Sequence, residues 1–300
     1  MADAFSIQKR KHDNREEAVF SILIPTWNNL PYLKLCIQSI KRNSKFHHQL
    51  IVHVNEGNDG TLEWIQSQPD IDFTASKTNI GVCYALNICS ALATTDYIVY
   101  LNDDMYLCPG WDEALLDEIK GLGHNAFFFS CTPVEPAETG NACVIVKDFG
   151  RDIESFREEK LLKEYAGLEK SDWSGSTWPP NIVHKDYWNL VGGYSTEFSP
   201  GMYSDPDFSM KLWKAGVRLF KGVSKSRAYH FGSKSVGRVV KNKGYQTFVA
   251  KWGMTSGTFT RIFLKSGASF AGPLTEPEIP ALVRWKNRFK KLQLGLKRPA

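Results

Sequence analysis

The sequence lacks the cysteine spacings of a metal or redox site. Its six cysteines form no Cys-x-x-Cys pair and no cysteine–histidine zinc pattern. Zinc-ribbon and disulfide-stapled protein classes are therefore disfavoured. Several of the cysteines fall at apolar positions of periodic segments, and we expect buried, unpaired thiols in a reducing compartment.

Long apolar runs are also missing. No stretch approaches the roughly 20 apolar residues that cross a bilayer, and residues 1–17 form a polar leader with no apolar signal region. The formal net charge of +5 is too small to indicate nucleic-acid binding, although it suits anionic small molecules or a membrane surface. We expect a cytoplasmic protein that binds no nucleic acid.

Apolar runs and amphipathic segments alternate along the first hundred residues. The pattern predicts strands at 19–25, 49–54, 72–76 and 97–101, with helices between them. Such alternation indicates a parallel sheet with helices on both faces. No Gly-x-Gly-x-x-Gly follows the first strand, which disfavours a dinucleotide-binding domain.

The clearest chemical signal is an acidic cluster directly after the fourth predicted strand. There the apolar run 97–101 is followed by Asn102, Asp103 and Asp104. Open α/β sheets bind ligands at the carboxyl ends of their strands, and adjacent carboxylates need a cation or a hydrogen-bonded hydroxyl as compensation. A solvated turn would contain the same residue types.

Further polar clusters lie at or just beyond predicted strand ends. They occur at 26–28, 55–59, 102–104 and 203–207, and they are accompanied by the segments Asn79-Ile-Gly81, Val191-Gly-Gly-Tyr194 and Lys251-Trp-Gly253. In order and spacing, this set resembles the family-two glycosyltransferases of the GT-A fold over roughly residues 19–254. The resemblance implies an α/β protein with a mostly parallel central sheet flanked by helices, and a C-terminal helical extension.

The same resemblance implies a domain plan. Residues 18–254 would form the catalytic domain, with a nucleotide-binding half at 18–105 and an acceptor half at 106–254. Residues 255–300 would form the helical extension.

Donor-binding residues are also implied by the resemblance. The nucleotide base, ribose and sugar would be bound by Thr26, Trp27, Asn28, Glu56, Asn79, Asn102 and Asp103. Trp27 is almost equally compatible with a role as a core anchor. Asn102 stands where the family's Asp-x-Asp motif has its first acidic residue, so it departs from the pattern.

The resemblance assigns a divalent metal, Mn²⁺ or Mg²⁺, to Asp104. His230 lies where some relatives have a further metal ligand, and a structural histidine is an equal alternative. Lys225, Arg227, Lys234 and Arg238 flank it in a predicted basic loop that would neutralise pyrophosphate, or would simply be a solvated edge.

Asp205 matches the family's general base. Ser204 replaces the family's preceding Glu, and Pro206 follows. Asp207 is expected to cap the next helix, and two capping aspartates are the alternative to a base. Within the predicted loop 171–180, Trp178 is expected to contact the acceptor, since aromatic faces suit sugar rings, although a packing role is equally compatible.

The resemblance implies an inverting transferase that moves a hexosyl or deoxyhexosyl group from a nucleotide diphosphate-sugar, with a UDP-sugar as first choice. The acceptor would be a hydroxyl of a glycan or a lipid-linked molecule, as in polysaccharide biosynthesis. A sugar-phosphate nucleotidyltransferase would need a Gly-rich basic loop that Pro25-Thr-Trp-Asn28 does not supply. A degenerate carbohydrate-binding or scaffold subunit is the non-enzymatic alternative.

The tail from Pro280 to Ala300 is predicted to form a basic amphipathic helix. Its large apolar residues recur at spacings of three or four, and lysine and arginine fill the remaining positions. Such a helix suits the interface of an anionic membrane, which would make the protein peripheral. Packing on the catalytic domain or binding of a partner is an equal alternative.

Overall fold

The computed structural model describes residues 7–11, 17–232 and 242–296. Within these ranges one sheet contains eleven strands: β1 Ile7–Arg10, β2 Ser21–Trp27, β3 Gln49–Asn55, β4 Ile71–Ser76, β5 Tyr97–Tyr100, β6 Met105–Leu107, β7 Phe127–Glu135, β8 Ile145–Val146, β9 Trp173–Ser174, β10 Asn181–His184 and β11 Leu219–His230. The helices are α1 Leu30–Asn43, α2 Thr61–Gln66, α3 Val82–Ser90, α4 Trp111–Lys120, α5 Glu158–Glu164, α6 Lys185–Val191, α7 Ser204–Lys214, α8 Gly244–Trp252 and α9 Ala281–Leu296. Shorter helical segments lie at Tyr165–Gly167, Thr196–Phe198, Ser256–Thr258 and Phe259–Phe263.

The sheet is parallel at its centre. Its order is β1-β4-β3-β2-β5-β10-β7-β11-β6, with β8 beside β7 and β9 beside β11. Strands β4, β3, β2 and β5 run parallel to one another, β7 and β11 form a second parallel pair, and β10 joins the two groups in the antiparallel sense. The predicted mostly parallel sheet flanked by helices is therefore confirmed.

Strand β2 shows why the polar side chains collect at one edge. Ile22 and Ile24 enter the apolar cluster on one side of the sheet and Leu23 enters the cluster on the other side, because alternate side chains of a strand point to opposite faces. Every residue of β3 and β4 is buried as well. Polar groups that must meet a ligand are consequently confined to the strand ends.

The predicted polar leader contributes a strand. Ile7–Arg10 pairs antiparallel with β4 at the edge of the sheet. The guanidinium of Arg10 donates to the backbone oxygens of Ile65 and Gln66 at the end of α2, where helical partners are lacking, and to the backbone oxygen of Ile71 at the start of β4. This segment therefore holds the edge of the sheet to α2.

Strand β11 is longer than the sequence pattern predicts. The apolar run 217–223 predicts a strand that ends near Val223, with a loop from residue 228, but the observed strand continues to His230 across a bulge between Val223 and Arg227. Its last residues pair antiparallel with β6, which sets His230 opposite Met105. This pairing brings His230 to the acidic cluster.

The prediction for the basic loop is wrong at Arg227. Its side chain is buried and donates to the backbone oxygens of Ser224 and Leu168, so it stabilises the bulge. Lys225 is exposed within the bulge. Lys234 and Arg238 lie outside the described residues.

The prediction that Asp207 caps a helix is also wrong. Helix α7 begins at Ser204, and Tyr203 precedes it with a φ of +71°. Asp207 is buried inside the helix, where it accepts a 2.8 Å hydrogen bond from Trp252 Nε1 and pairs with Lys251 Nζ at 2.9 Å. A buried carboxylate needs such partners, and α8 supplies them.

The six cysteines are buried and unpaired, as predicted. The C-terminal helical extension is present as α9. None of the helices in the described ranges combines the length and the apolar character needed to cross a membrane.

Candidate active site

A cavity of about 420 Å³ opens at the carboxyl ends of the central parallel strands. That volume falls in the range of small-molecule sites. Most of the residues predicted from the sequence lie along it: Thr26, Trp27, Asn79, Asn102, Asp103, Asp104, Asp205 and His230. The remainder of its wall is formed by Pro25, Asn55, Gly81, Val82, Tyr100, Pro200, Gly201, Met202, Ser204 and Gly232.

Thr26 and Asp103 connect the ends of the two central strands. Thr26 Oγ1 donates a 2.6 Å hydrogen bond to Asp103 Oδ2, and both side chains are buried. Asn55 Nδ2 donates to the Thr26 carbonyl at 3.2 Å, which adds the end of β3. The Asp103 carboxylate is therefore held in one orientation by the strand register.

Glu56 organises the opposite wall of the cavity. Its Oε2 accepts hydrogen bonds from Trp27 Nε1 at 2.9 Å and from Asn28 Nδ2 at 3.2 Å, and its Oε1 accepts from the Asn79 backbone at 3.3 Å. Asn28 and Glu56 have φ angles of +46° and +64°, which places both in the left-handed region. They lie behind the lining of the cavity, and they position Trp27 and Asn79 on it.

Asp104, His230 and Glu135 form a line of three side chains. His230 Nδ1 lies 2.9 Å from Glu135 Oε1, and His230 Nε2 lies 3.7 Å from Asp104 Oδ1. Burial lowers the pKa of His230, but the hydrogen bond to Glu135 and the charge of Asp104 outweigh it, so the pKa is raised. The contact between Nδ1 and Glu135 leaves Nε2 as the ring nitrogen on the Asp104 side.

Asp205 lies in the first turn of α7 and faces the same cavity. Its Oδ1 accepts a 3.2 Å hydrogen bond from the Tyr194 hydroxyl. Burial raises the pKa of Asp205 to about 7, and the hydrogen bond from Tyr194 acts in the opposite direction. A carboxylate of that pKa accepts a proton near neutral pH far better than an ordinary aspartate does.

The loop that leads into α7 is fixed by Asn242. The Asn242 side chain donates to the Phe198 carbonyl at 2.6 Å and to the Ser199 carbonyl at 3.2 Å. Ser204 Oγ donates to the Gly201 carbonyl at 2.6 Å. These contacts set the position from which Asp205 enters the cavity.

A second cavity, of about 180 Å³, adjoins the first. The two cavities share Asn102, Asp205 and His230, so the Asp205 side chain borders both of them. Trp178 is half-buried and lines the second cavity. The wall also contains Met105, Pro133, Glu135, Asn141, Cys143, Trp173 and Pro179.

The chain was compared with known proteins by sequence and by fold. Residues 21–164 match the model of the family described as glycosyl transferase family 2. This match covers β2 to β5, the acidic cluster and Glu135. No curated protein matches the chain in sequence.

Solved structures extend this likeness over most of the chain. Staphylococcus aureus TarS 1–349 in complex with UDP-GlcNAc is 11% identical at a TM-score of 0.55, and the alignment covers 93% of this chain and 72% of the TarS chain. GalNAc-T7 with UDP, GalNAc and Mn²⁺ is 14% identical at a TM-score of 0.54, and the alignment covers 78% of this chain and 48% of the GalNAc-T7 chain. At these identities the likeness shows the GT-A fold alone.

The side chains of Asp104 and His230 fit a divalent cation as a pair. In the described part of the chain, no group of three or more His, Cys, Asp or Glu side chains could hold a metal ion. Two ligand atoms bound to one ion at ~2.1 Å stand about 3–4 Å apart, and the observed 3.7 Å between Nε2 and Oδ1 agrees. Mg²⁺-like ions are commonly held by one or two protein ligands plus phosphates and water.

Two residues that depart from the family pattern, Asn102 and Ser204, both line the large cavity. Asn102 lines both cavities, and its backbone oxygen lies 3.7 Å from Cys36 Sγ. Ser204, which stands where the family has Glu, bonds to the Gly201 carbonyl within its own loop. The Asp205 side chain keeps its place at the cavity in this setting.

Glu135 and Tyr194 were not predicted as side chains of the site. Glu135 ends β7, and a polar residue after a strand of mostly apolar residues was the available signal. Tyr194 belongs to the quoted Val191-Gly-Gly-Tyr194 segment, but nothing in its spacing indicates a bond to Asp205.

Proposed function

We propose that this protein is a glycosyltransferase that inverts the anomeric centre as it moves a sugar from a nucleotide diphosphate-sugar to a hydroxyl group. The observation that carries the proposal is the position of Asp205. This carboxylate borders both the large cavity, which holds the acidic cluster, and the small cavity beside Trp178. A base between a donor space and an acceptor space is the arrangement that a direct displacement requires.

Asp205 takes the proton from the acceptor hydroxyl in this mechanism. The acceptor oxygen then forms a bond to the anomeric carbon, and the bond from that carbon to the diphosphate oxygen breaks. Inversion follows because the attack comes from the face opposite the leaving group. The pKa of about 7 supports this role, because a pKa near the working pH combines a substantial ionised fraction with a stronger base than an ordinary aspartate.

Donor binding is assigned to the opposite side of the large cavity. Trp27, held by Glu56, offers an aromatic face to the nucleotide base, and Asp103, held by Thr26, offers a carboxylate oxygen to the ribose. Asn28 supports the same wall from behind. TarS and GalNAc-T7 were solved with UDP-GlcNAc and with UDP, respectively, and we propose a UDP-sugar carrying a hexosyl or deoxyhexosyl group.

Asp104 and His230 would hold Mn²⁺ or Mg²⁺ beside the diphosphate. A cation bound there supplies positive charge to the departing nucleoside diphosphate. Glu135 fixes the tautomer and the ring orientation of His230, as carboxylates do behind metal-binding histidines. The GalNAc-T7 structure contains Mn²⁺, which supports this assignment.

The acceptor is proposed to enter the small cavity. Its volume of about 180 Å³ suits one sugar ring, and its walls combine Trp178 with Glu135 and Asn141. Stacking on an aromatic ring beside polar groups suits a hydroxyl-rich ring with apolar C–H faces. We propose a glycan or a lipid-linked acceptor of polysaccharide biosynthesis, in the cytoplasm where the six thiols stay reduced.

The decisive experiment combines a donor screen with one variant. Thermal shift with nucleotide sugars, with and without Mn²⁺, identifies the donor, and turnover to nucleoside diphosphate is then measured. Asp205→Asn should retain donor affinity and lose about 10²–10⁴-fold in turnover. Wild-type turnover in Asp205→Asn would assign the base to another residue.

Two other results would replace the proposal. Release of pyrophosphate from a nucleoside triphosphate and a sugar phosphate would make the chain a nucleotidyltransferase. Sugar binding without hydrolysis or transfer of any donor would make it a carbohydrate-binding or scaffold subunit.

A further inference from the structure

Helix α9 presents an unpartnered apolar stripe to solvent. Leu282, Trp285, Phe289 and Leu292 are 63%, 62%, 47% and 66% exposed. The rings of Trp285 and Phe289 stack with their centroids 5.7 Å apart and an angle of 11° between planes. Scattered exposed apolar residues are ordinary, whereas a contiguous patch marks an interaction site.

The stripe is concentrated in this helix. The other large apolar side chains exposed in the described ranges are Ile7, Tyr84, Val146, Leu190 and Met202. They come from separate elements along the chain. Helix α9 thus has several such residues within 16 positions, and the spacings of three and four put them on one face.

The opposite face of the helix packs on the protein. Asn287 is buried, and its Oδ1 accepts hydrogen bonds from the Thr255 backbone at 3.4 Å and from Thr258 Oγ1 at 3.1 Å. Val283 and Leu294 are the other partly covered residues of the helix. At about 100° per residue, this face lies roughly 180° from the stripe. The orientation of α9 therefore directs the stripe outward.

Basic side chains flank the stripe. Arg284, Lys286, Arg288, Lys290 and Lys291 are all exposed, and no aspartate or glutamate occurs from Ile279 to the end of the chain. On the helical wheel Arg288 borders one side of the stripe and Lys286 the other. Leu296 has no described side chain, and Lys297 and Arg298 lie outside the described residues.

We propose that α9 binds the protein to the interface of an anionic lipid bilayer. The stripe would enter the boundary between headgroups and acyl chains, with Trp285 at headgroup depth, while the flanking cations contact lipid phosphates. A second copy of the chain is a poorer occupant, because a symmetric contact would set the two rows of like charges against each other. This inference goes beyond the proposed function and does not rest on it.

Vesicle flotation of the full chain tests the proposal without donor or acceptor. The protein should float with phosphatidylcholine vesicles that contain phosphatidylglycerol, should bind phosphatidylcholine vesicles much less, and should be released by high salt. Trp285→Ser/Phe289→Ser should weaken binding at least about tenfold, since two large side chains no longer leave water. Arg284→Gln/Arg288→Gln should weaken it about 25-fold, at roughly fivefold per cation.

Matched controls separate this surface from general effects. Tyr84→Ser/Leu190→Ser removes two exposed apolar side chains elsewhere, and Lys160→Gln/Lys163→Gln removes two exposed charges from α5. Both controls should float like the wild type, and all four variants should keep the wild-type Tm.

Several results would overturn the proposal. They are absence of flotation at low salt, equal binding to both vesicle types, and wild-type binding by the α9 variants. A concentration-dependent dimer in sedimentation equilibrium that Trp285→Ser/Phe289→Ser dissociates would assign the stripe to a second copy.

Discussion

The Tyr194 hydroxyl donates a 3.2 Å hydrogen bond to Oδ1 of Asp205. Burial raises the pKa of this carboxyl group to about 7, and the hydrogen bond limits the rise because it stabilises the ionised form. Tyr194 is itself fixed by a stack on Phe208, with ring centroids 4.6 Å apart and 8° between planes. One hydroxyl therefore adjusts the pKa of the proposed base.

The first prediction is that Tyr194→Phe shifts the pH profile to higher pH. Protonated Asp205 accepts no proton, so wild-type kcat/KM should fall about tenfold per pH unit below a pKa near 7. Phenylalanine retains the stack on Phe208 and removes the hydrogen bond, so the acidic limb should move up by about half to one unit. Tyr203 packs on Tyr245. Tyr203→Phe is therefore the control, and it should keep the wild-type pH profile. An unmoved limb in Tyr194→Phe would disconnect Tyr194 from the base.

The second prediction distinguishes the roles of two adjacent carboxylates, Asp103 and Asp104. Asp104→Asn should abolish the Mn²⁺ dependence of UDP binding, since Asp104 is the proposed metal ligand opposite His230. Asp103→Asn alters the acceptor of the Thr26 hydrogen bond, and it should weaken UDP binding while leaving its Mn²⁺ dependence intact. Isothermal titration of UDP with and without Mn²⁺ measures both effects. The metal assignment fails if Asp104→Asn still requires Mn²⁺ as the wild type does.

The third prediction concerns Glu135, which contacts His230 on the side away from Asp104. Glu135→Gln keeps an oxygen at the same place but loses the charge that holds the Nδ1 proton. Mn²⁺ affinity should fall about 10-fold in Glu135→Gln and up to about 100-fold in Glu135→Ala. Titration of Mn²⁺ in the presence of UDP measures it. Glu138→Gln, in the exposed loop that follows β7, is the control with unchanged affinity. Wild-type affinity in Glu135→Ala would make His230 independent of Glu135.

The elements predicted from local patterns were the ones with strong periodicity. The strands predicted at 49–54 and 72–76 are observed as Gln49–Asn55 and Ile71–Ser76, because apolar runs bounded by turn residues specify short elements locally. The acidic cluster was also predictable, since a buried parallel strand ends where its apolar run ends.

Contacts made over long sequence distances were not predictable. His230 reaches Asp104 only because β11 passes its predicted end and pairs with β6. Asp207 is a buried partner of Trp252 and Lys251 on a later helix, whereas its position after Pro206 favoured a cap. Tertiary contacts set the positions of both side chains, and these contacts cannot be read from the local sequence around either residue.

The last prediction distinguishes the roles of Trp173 and Trp178, which lie in the same predicted loop. Trp173 is buried, donates from Nε1 to Thr132 Oγ1 at 2.9 Å, and packs so closely on Gly222 that a side chain there would collide with it. Trp178 is half-buried at the small cavity. The pair therefore offers one structural site and one candidate acceptor site in the same loop.

Trp178→Ala should raise the acceptor KM about tenfold or more, because a stacked ring loses its apolar contact, while UDP affinity and Tm stay near the wild-type values. Trp173→Ala should instead lower the free energy of unfolding by about 3–5 kcal/mol, since it leaves a large cavity beside β9 and β11. Acceptor kinetics, UDP titration and thermal melting of the two variants provide the comparison. Trp178 would instead be a packing residue if Trp178→Ala changed acceptor KM and UDP affinity equally, or if it lost as much stability as Trp173→Ala. Either result would leave the small cavity without its proposed aromatic contact.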